Sequence, residues 1–508
     1  MKKIATAIVL LCLLSSITVK AQNNGAELKT AMTLAKNGQY QQASVSFFQL
    51  SLSPKYIENR MQVRYLLGLM LYQMKMYQLA AFQFISVIRE GNNKYIPKAL
   101  EKLSLAANEL GDDTLLNYAI SRVKTESFPA VHRDILFYRI GEFQDRNGQY
   151  PEAILSFDQV PETSPLHDKA MYMKAMAYAQ AGDADKSATT FDLLFDRKSS
   201  APVTDTSRVA AQIGRARALY QKKDWQGAIQ AYRDVPSDSV LWHDTVFESS
   251  WAMLRSGRFR SAISNFQSLH SPYYEESYLP ESLLLRSIVY LYICKYDEMD
   301  KVLNLFNKIY KPVYRQMTSY LQAQKNPVKY FNDVVLTMLA AKKTDLSIAK
   351  SNFAIPYLIT QKVSKEGDFQ RSFHYIKKLI DERKSVRAMP ALWRSSGIGK
   401  YALQTLDRRL LRARAKGGRQ IRSHMINLRT ELIDIFEQEG FIRYEMINGK
   451  KEQLKKRVAG KNLPDMQIDQ DNSRDYYIQN GFEYWGFRGE YWLDEIGNYH
   501  YLGTQSCE

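Results

Sequence analysis

The chain has 508 residues, 45% of them hydrophobic, with 70 lysines and arginines against 53 aspartates and glutamates and a formal charge of +17. That length accommodates two or three domains, and the apolar fraction excludes a chain too polar to bury a core. Three cysteines exclude both a disulfide-stapled scaffold and a cysteine-built structural zinc site.

At the start of the chain, Lys2 and Lys3 precede an apolar run, Ile4–Leu14, that is too short to span a bilayer comfortably. Val19, Lys20 and Ala21 place small or modest residues before Gln22, so residues 1–21 read as a cleaved signal peptide, with a membrane anchor as the alternative. Cys12 suggests a lipoprotein, but Leu11 stands where a small residue is expected. No later stretch reads as a membrane helix. The expected mature chain is exported, in the periplasm or at the outer-membrane periphery of a Gram-negative bacterium. Losing Lys2, Lys3 and Lys20 lowers the formal charge from +17 to +14. In that compartment the charge points to an acidic envelope surface or an acidic protein rather than to nucleic acid.

A repeat follows. "NGQYQQASVSF" (37–47), "NGQYPEAILSF" (147–157) and "SGRFRSAISNF" (256–266) share a glycine, an aromatic two residues later, an alanine five later and a phenylalanine nine later. Weaker copies begin at Lys75, Gly182, Lys223 and Cys294, and the faintest at Gly111. The register points 38, 75, 111, 148, 182, 223, 257 and 294 recur about every 37 residues. Seven residues before each lies a small residue: Ala31, Gly68, Ser104, Gly141, Ala175, Ala216, Ser250 and Ser287.

This pattern resembles the tetratricopeptide (TPR) superfamily, in which pairs of helices cross closely at small residues and stack into a solenoid. The resemblance implies an all-α, right-handed α-solenoid of about eight repeats over residues 22–312, with a concave face that holds a peptide or helix of a protein partner. The aromatics opening each second helix (Tyr40, Tyr77, Tyr150, Trp225, Phe259, Tyr296) and the later phenylalanines read as core between neighbouring helices. Pro54, Pro165, Pro272 and Pro312 read as stops after the second helix.

Residues 313–460 read as a helical region without the repeat, containing a long coiled-coil-like hairpin that bends around 384–392. Ile421, Met425, Leu428, Leu432, Ile435, Ile442 and Met446 follow steps of four and three, with Glu439 in one expected apolar place. Leu403, Leu406, Leu410 and Ala413 form a second set, out of phase across Gly417 and Gly418. Packing of the hairpin on itself and pairing with a second chain both fit this seam.

Between Lys384 and His424 lie eleven basic residues and one acid, Asp407. Arg408, Arg409, Arg412, Arg414, Lys416, Arg419 and Arg422 form a candidate docking surface for anionic lipid, cell-wall polymer or an acidic protein. A merely solvated face is the alternative. Asp465, Asp469, Asp471 and Asp475 then make residues from 461 onward acidic, and that segment is a candidate to occupy part of the basic surface.

Residues 461–508 end in "EYWGFRGEYWLDEIGNYHYLG" (483–503), read as a small β-hairpin turning at Gly497 and Asn498. Tyr484, Trp485, Tyr491 and Trp492 are its candidate contacts, either against helices or against a glycan. Cys294 and Cys507 are a candidate disulfide.

The chain carries no HExxH, paired CxxC, GxSxG or Walker loop, and its seven histidines are scattered without a metal-binding interval. The expectation is therefore no catalytic, cofactor or metal site, and no enzyme. The repeats, "SPYYEESYLPESLLLRSIVYLYICKYDEM" (271–299), the basic helices and the aromatic end together resemble exported envelope TPR proteins of predatory and gliding Gram-negative bacteria, some of the adventurous gliding motility type. That resemblance implies a non-enzymatic envelope scaffold, possible motility machinery, and protein partners. The alternative function is a peptidoglycan or polysaccharide binder that uses the aromatic tail.

Overall fold

A computed structural model describes residues 25–91, 93–112, 114–123, 131–199, 201–202, 205–274, 279–341, 353–458, 491–492 and 496–499. The regular elements among the described residues are helices, with no strand. Most of the expected β-hairpin lies outside the described residues.

The chain divides into two compact units. The first comprises Met1–Asn147, Gln159–Leu166 and Gln370–Gly417; the second comprises Gly148–Asp158, His167–Phe369 and Gly418–Glu508.

In the first unit, α1 (25–36) and α2 (Tyr40–Leu52), α3 (Arg60–Gln73) and α4 (Tyr77–Arg89), and α5 (Ile96–Leu110) and α6 (Thr114–Ile120) form successive pairs, followed by α7 (Arg133–Arg146). In the second, α8 (Tyr150–Asp158) leads into α9 (His167–Gln180) and α10 (Ala184–Arg197). The pairs α11 (Thr206–Gln221) with α12 (Trp225–Arg233), α13 (Trp242–Arg255) with α14 (Phe259–Leu269), and α15 (Pro280–Tyr292) with α16 (Tyr296–Ala323) continue the series.

Each tight turn before a second helix has one residue at positive φ. These residues are Gly38, Lys75, Gly111, Gly148, Gly182, Lys223, Gly257 and Cys294, with φ between 57° and 87°. They coincide with all eight register points of the sequence repeat. Glycine meets this backbone requirement without a Cβ clash; Lys75, Lys223 and Cys294 adopt it at a cost.

The small residues seven positions earlier are all buried. At Gly68 a Cβ would stand 2.5 Å from the Phe84 ring, and at Gly214 it would collide with Phe191. The later aromatics fill the space so cleared: Phe47, Phe84, Phe157, Phe191 and Phe266 are at most 2% exposed. The opening aromatics behave differently from expectation. All six are only half-buried, and three sit ring to ring at helix ends: Tyr77 on Tyr72, Trp225 on Tyr220 and Phe259 on Tyr292.

Pro312 does not stop its helix, contrary to expectation: α16 runs on to Ala323 with the proline inside. Tyr310, Val313, Met317 and Leu321 are buried on one face, and that packing outweighs the hydrogen bond the proline removes.

Among the described residues five further helices follow: α17 (Pro327–Ala341), α18 (Tyr357–Lys365), α19 (Gly367–Ala388), α20 (Ala391–Ser395) and α21 (Gly397–Val458). Residues 397–417 of α21 belong to the first unit and residues 418–458 to the second.

Candidate functional site

In the first unit, α19 and the start of α21 run antiparallel. Arg383 pairs with Asp407 at 2.5 Å, and the Arg409 Nε donates to the Tyr375 hydroxyl at 2.5 Å. Pro390 and the short α20 make the turn between them. These helices are fastened to the early repeats by polar contacts that are mostly buried. The Glu382 carboxylate accepts the backbone N–H of Gln78 at 2.8 Å and of Leu79 at 3.1 Å. Those two donors belong to the first turn of α4, whose N-cap residue Met76 offers no side-chain cap. Glu382 therefore satisfies orphan donors and stands at the positive end of the helix dipole. Burial nevertheless outweighs these bonds and pushes its carboxyl up to about 7.

The Tyr375 hydroxyl donates to the Gln78 side-chain oxygen at 2.5 Å, and the Trp393 indole N–H donates to the Ser44 Oγ at 3.0 Å. The Tyr401 ring packs on Phe48 with centroids 5.4 Å apart.

This scaffold divides the candidate cations. Arg409 belongs to the fastening: its guanidinium pairs with Asp112 at 3.1 Å and lies over the Tyr375 ring. Arg408, Arg412 and Lys416 follow at steps of four, are exposed, and make no ion pair among the described residues. Among the described residues Arg408 donates to the Gln404 carbonyl of its own helix. Arg414 is half-buried. In the second unit, Arg419 is exposed and Arg422 half-buried. Asp407, the single acid of the stretch, is already taken by Arg383.

In the second unit, residues 418–458 of α21 run antiparallel to α16. Phe436 packs on Phe306, Asn307 donates to Glu439, Arg443 pairs with Asp300, and Lys450 pairs with Asp297. Glu439, out of place in the apolar seam, is buried and held by Arg443 and Asn307. At Gly418 an added Cβ would overlap the Pro327 carbonyl oxygen, so this glycine permits backbone contact between α21 and α17.

The described tail residues also lie on the second unit. Gly497 N–H donates to the Ser268 Oγ at 2.9 Å, and its Cα faces the Trp242 ring. Ile496 is buried. Tyr491 meets Tyr499 edge to face and is hydrogen-bonded to Arg286. Trp492 is 59% exposed. Arg286 further holds Gln267 at 2.9 Å and the His270 Nδ1 at 3.2 Å, and the His270 Nε2 meets the Ser282 Oγ at 2.8 Å. A neutral His270, accepting at Nδ1 and donating at Nε2, fits these partners, and burial beside Arg286 holds its pKa well below the usual range. Tyr484, Trp485 and Cys507 lie outside the described residues. Cys294 is disulfide-bonded. Among the described residues no group of histidine, cysteine and carboxylate side chains could hold a metal, and no helix is long and apolar enough to cross a membrane.

A family comparison covers one stretch of these helix pairs. Residues 138–202 match the tetratricopeptide repeat. That stretch thus carries the tetratricopeptide repeat, a helix-pair fold that generally serves protein–protein contact. No curated protein matches the sequence. Among solved structures, tetratricopeptide-like repeats of a putative kinesin light chain from Podosopora anserina are 17% identical, over 35% of this chain and 97% of that one, with a TM-score of 0.31. The C-terminal part of a TPR repeat-containing protein from Cytophaga hutchinsonii is 18% identical, over 47% and 93%, with a TM-score of 0.32. Naa15/Naa10 bound to HypK-THB is 12% identical, over 86% and 80%, with a TM-score of 0.34. At TM-scores this low, none of these likenesses bears on what the chain binds.

Glu382 and Trp393 escaped the sequence reading. A usable signal existed for the first: Tyr375, Leu379, Glu382 and Val386 are spaced as a buried seam, and a carboxylate within such a seam needs partners. Trp393 had no comparable signal.

Proposed function

We propose that this protein is a non-enzymatic scaffold of the Gram-negative cell envelope. Its tetratricopeptide helix pairs hold protein partners, and exposed cations of α21 dock an acidic segment of one of them. The observation that carries the reading is the row Arg408, Arg412 and Lys416, exposed and without ion pairs among the described residues. The helix that bears them is fastened in its unit by Arg409 and Tyr401. A fixed helix sets the spacing of these cations, so a partner that docks on them orders side chains but no backbone.

Export is supported by the lysine-led apolar start over residues 1–21, and a place in motility or envelope machinery by the resemblance of the repeats, basic helices and aromatic end. The alternative, a cell-wall binder using the aromatic tail, draws less support, because Tyr491 is already engaged by Arg286 and Tyr499.

Cross-linking mass spectrometry in native cells tests the reading. It should join the 400–416 stretch to an acidic protein segment, and the link should vanish in an Arg408→Glu/Arg412→Glu/Lys416→Glu variant that melts like the wild type. Salt-sensitive binding to anionic vesicles or to purified peptidoglycan, lost in the same variant with no protein link, would reassign the row to lipid or polymer.

A further inference from the structure

The described residues of the C-terminal tail gather around one cation of the second unit. The Arg286 guanidinium, on α15, donates to the Gln267 side-chain oxygen at 2.9 Å and to the Tyr290 hydroxyl at 3.1 Å. It meets the His270 Nδ1 at 3.2 Å and donates to the Tyr491 hydroxyl of the tail. All four partners are neutral, and among the described residues no carboxylate pairs with this half-buried cation. Groups of α14 and α15 hold the guanidinium fork, so its donors are set before a ligand arrives.

Six residues beyond Tyr491 the helices read the tail a second time. The Gly497 N–H donates to the Ser268 Oγ at 2.9 Å, its φ is +92°, and an added Cβ would stand 2.7 Å from the Trp242 ring. Glycine meets that φ and that approach without strain. Ile496 is buried beside it, while Trp492 is 59% exposed. In its described residues the tail has neither helix nor strand. It lies on α13, α14 and α15 as a bound peptide does, recognised by side chains of the helices.

A tethered segment stays bound with modest intrinsic affinity, because the tether keeps its local concentration high. A free segment displaces it only through a stronger contact, and Arg286 leaves one unused. A carboxylate in place of the Tyr491 phenol would accept a bidentate, charge-assisted pair, each bond about twice as strong as a neutral one.

We propose that Trp242, Ser268 and Arg286 form a docking site for an extended segment of a partner protein, which sets a carboxylate on Arg286 and, six residues later, a glycine against Trp242. Tail residues 491–499 occupy the site in cis until that segment displaces them. The proposal rests on the reading that the helix pairs hold protein partners, and it does not involve the cation row at 408–416.

Fluorescence anisotropy with the full-length protein and two labelled peptides tests it. One peptide is residues 489–500 as they stand, the other the same peptide with Tyr491→Glu. Gly497→Val in the full-length chain, whose side chain meets Trp242, should unseat the resident tail. That variant should bind the Tyr491→Glu peptide about tenfold more tightly than the wild type does, and about tenfold more tightly than it binds the unaltered peptide. Adding Arg286→Ala should remove the difference between the peptides. Ser268→Ala, which is nearly isosteric and spares the fold, should weaken both by about threefold. A Gly497→Val chain that binds no more tightly than the wild type overturns the proposal, and so does binding that survives both Arg286→Ala and Ser268→Ala. Equal affinity for the two peptides also overturns it, leaving the tail of a second copy as the fitting occupant. Arg408→Glu/Arg412→Glu/Lys416→Glu should leave these affinities unchanged in physiological salt, so loss of the cellular cross-link faults the cation row and not this site.

Discussion

Glu382 and Gln78 are 304 residues apart in sequence, yet the Gln78 backbone N–H donates to the Glu382 carboxylate at 2.8 Å. A side chain from the C-terminal helices thus completes the first turn of a repeat helix that has no cap of its own. Replacing Glu382 with alanine strands two buried donors and should destabilise the first unit by about 1–3 kcal/mol. Glu382→Gln keeps one acceptor without a buried charge and should cost less. Thermal melting of both variants at one pH checks the order.

Burial raises the Glu382 carboxyl to about 7, above its ordinary 4.5. The folded state therefore holds its proton where the unfolded state has released it. Its contribution is complete below the unfolded value and is lost as pH rises through the folded one. Hydrogen exchange of the α4 peptide should show slower opening at pH 5 than at pH 8, and Glu382→Gln should flatten that dependence.

His243 in the second unit has the opposite sign. Burial lowers its pKa from 6.5 to about 4. The unfolded chain binds a proton that the folded chain refuses, so this contribution is present above pH 6.5 and is lost as pH falls towards 4. His270, lowered in the same direction, adds to it. Acidification from neutrality to pH 5 should weaken exchange protection in α13 and α14, by about 2 kcal/mol for His243 alone. His243→Phe, which preserves a ring against Tyr274, should remove that share.

The turn register gives a stability test. Lys75 and Lys223 occupy the left-handed conformation that glycine occupies in five other repeats. Lys75→Gly and Lys223→Gly should each stabilise by about 0.5–1 kcal/mol, and Gly38→Ala and Gly257→Ala should destabilise by a similar amount. Chemical denaturation curves of the four variants decide this.

Gly418 and Gly440 lie in one helix with opposite surroundings. A methyl at Gly418 meets the Pro327 backbone, which cannot rotate away, whereas at Gly440 it meets nothing within 4 Å. Gly418→Ala should cost about 1–3 kcal/mol, and Gly440→Ala should gain up to about 1 kcal/mol from helix propensity. Melting temperatures moving in the same direction would contradict the packing described for α21 and α17.

Cys294 is disulfide-bonded, and we propose Cys507 as its partner. Peptide mapping without reductant should recover the two in one cross-linked fragment. Reduction should then lower stability by roughly 4–5 kcal/mol if the loop-closure account holds, because the closed loop is very long. Two free thiols in the native protein would remove the pairing.

The repeats were legible because every requirement that makes them is local. A residue at positive φ, a small residue seven positions earlier and a phenylalanine nine later all fall within one helix pair, and the Gly38, Gly148 and Gly257 copies expose the pattern directly. The candidate site was legible only as a composition. Sequence grouped Arg408, Arg409 and Arg412 as one basic run, and the structure pairs Arg409 with Asp112 while leaving its neighbours exposed. Pro312 misled for a related reason: its local rule forbids a helix, and the burial of residues on both sides overrides it.

By itself, then, the sequence determined the helix pairs, their period and the turn residues, since steric demands between near neighbours fix them. Only the tertiary structure decided which charges are spent inside the protein and which face outward. That choice depends on which helix faces meet across hundreds of residues, as Glu382 meets Gln78 and Arg443 meets Asp300, and no local spacing encodes the meeting.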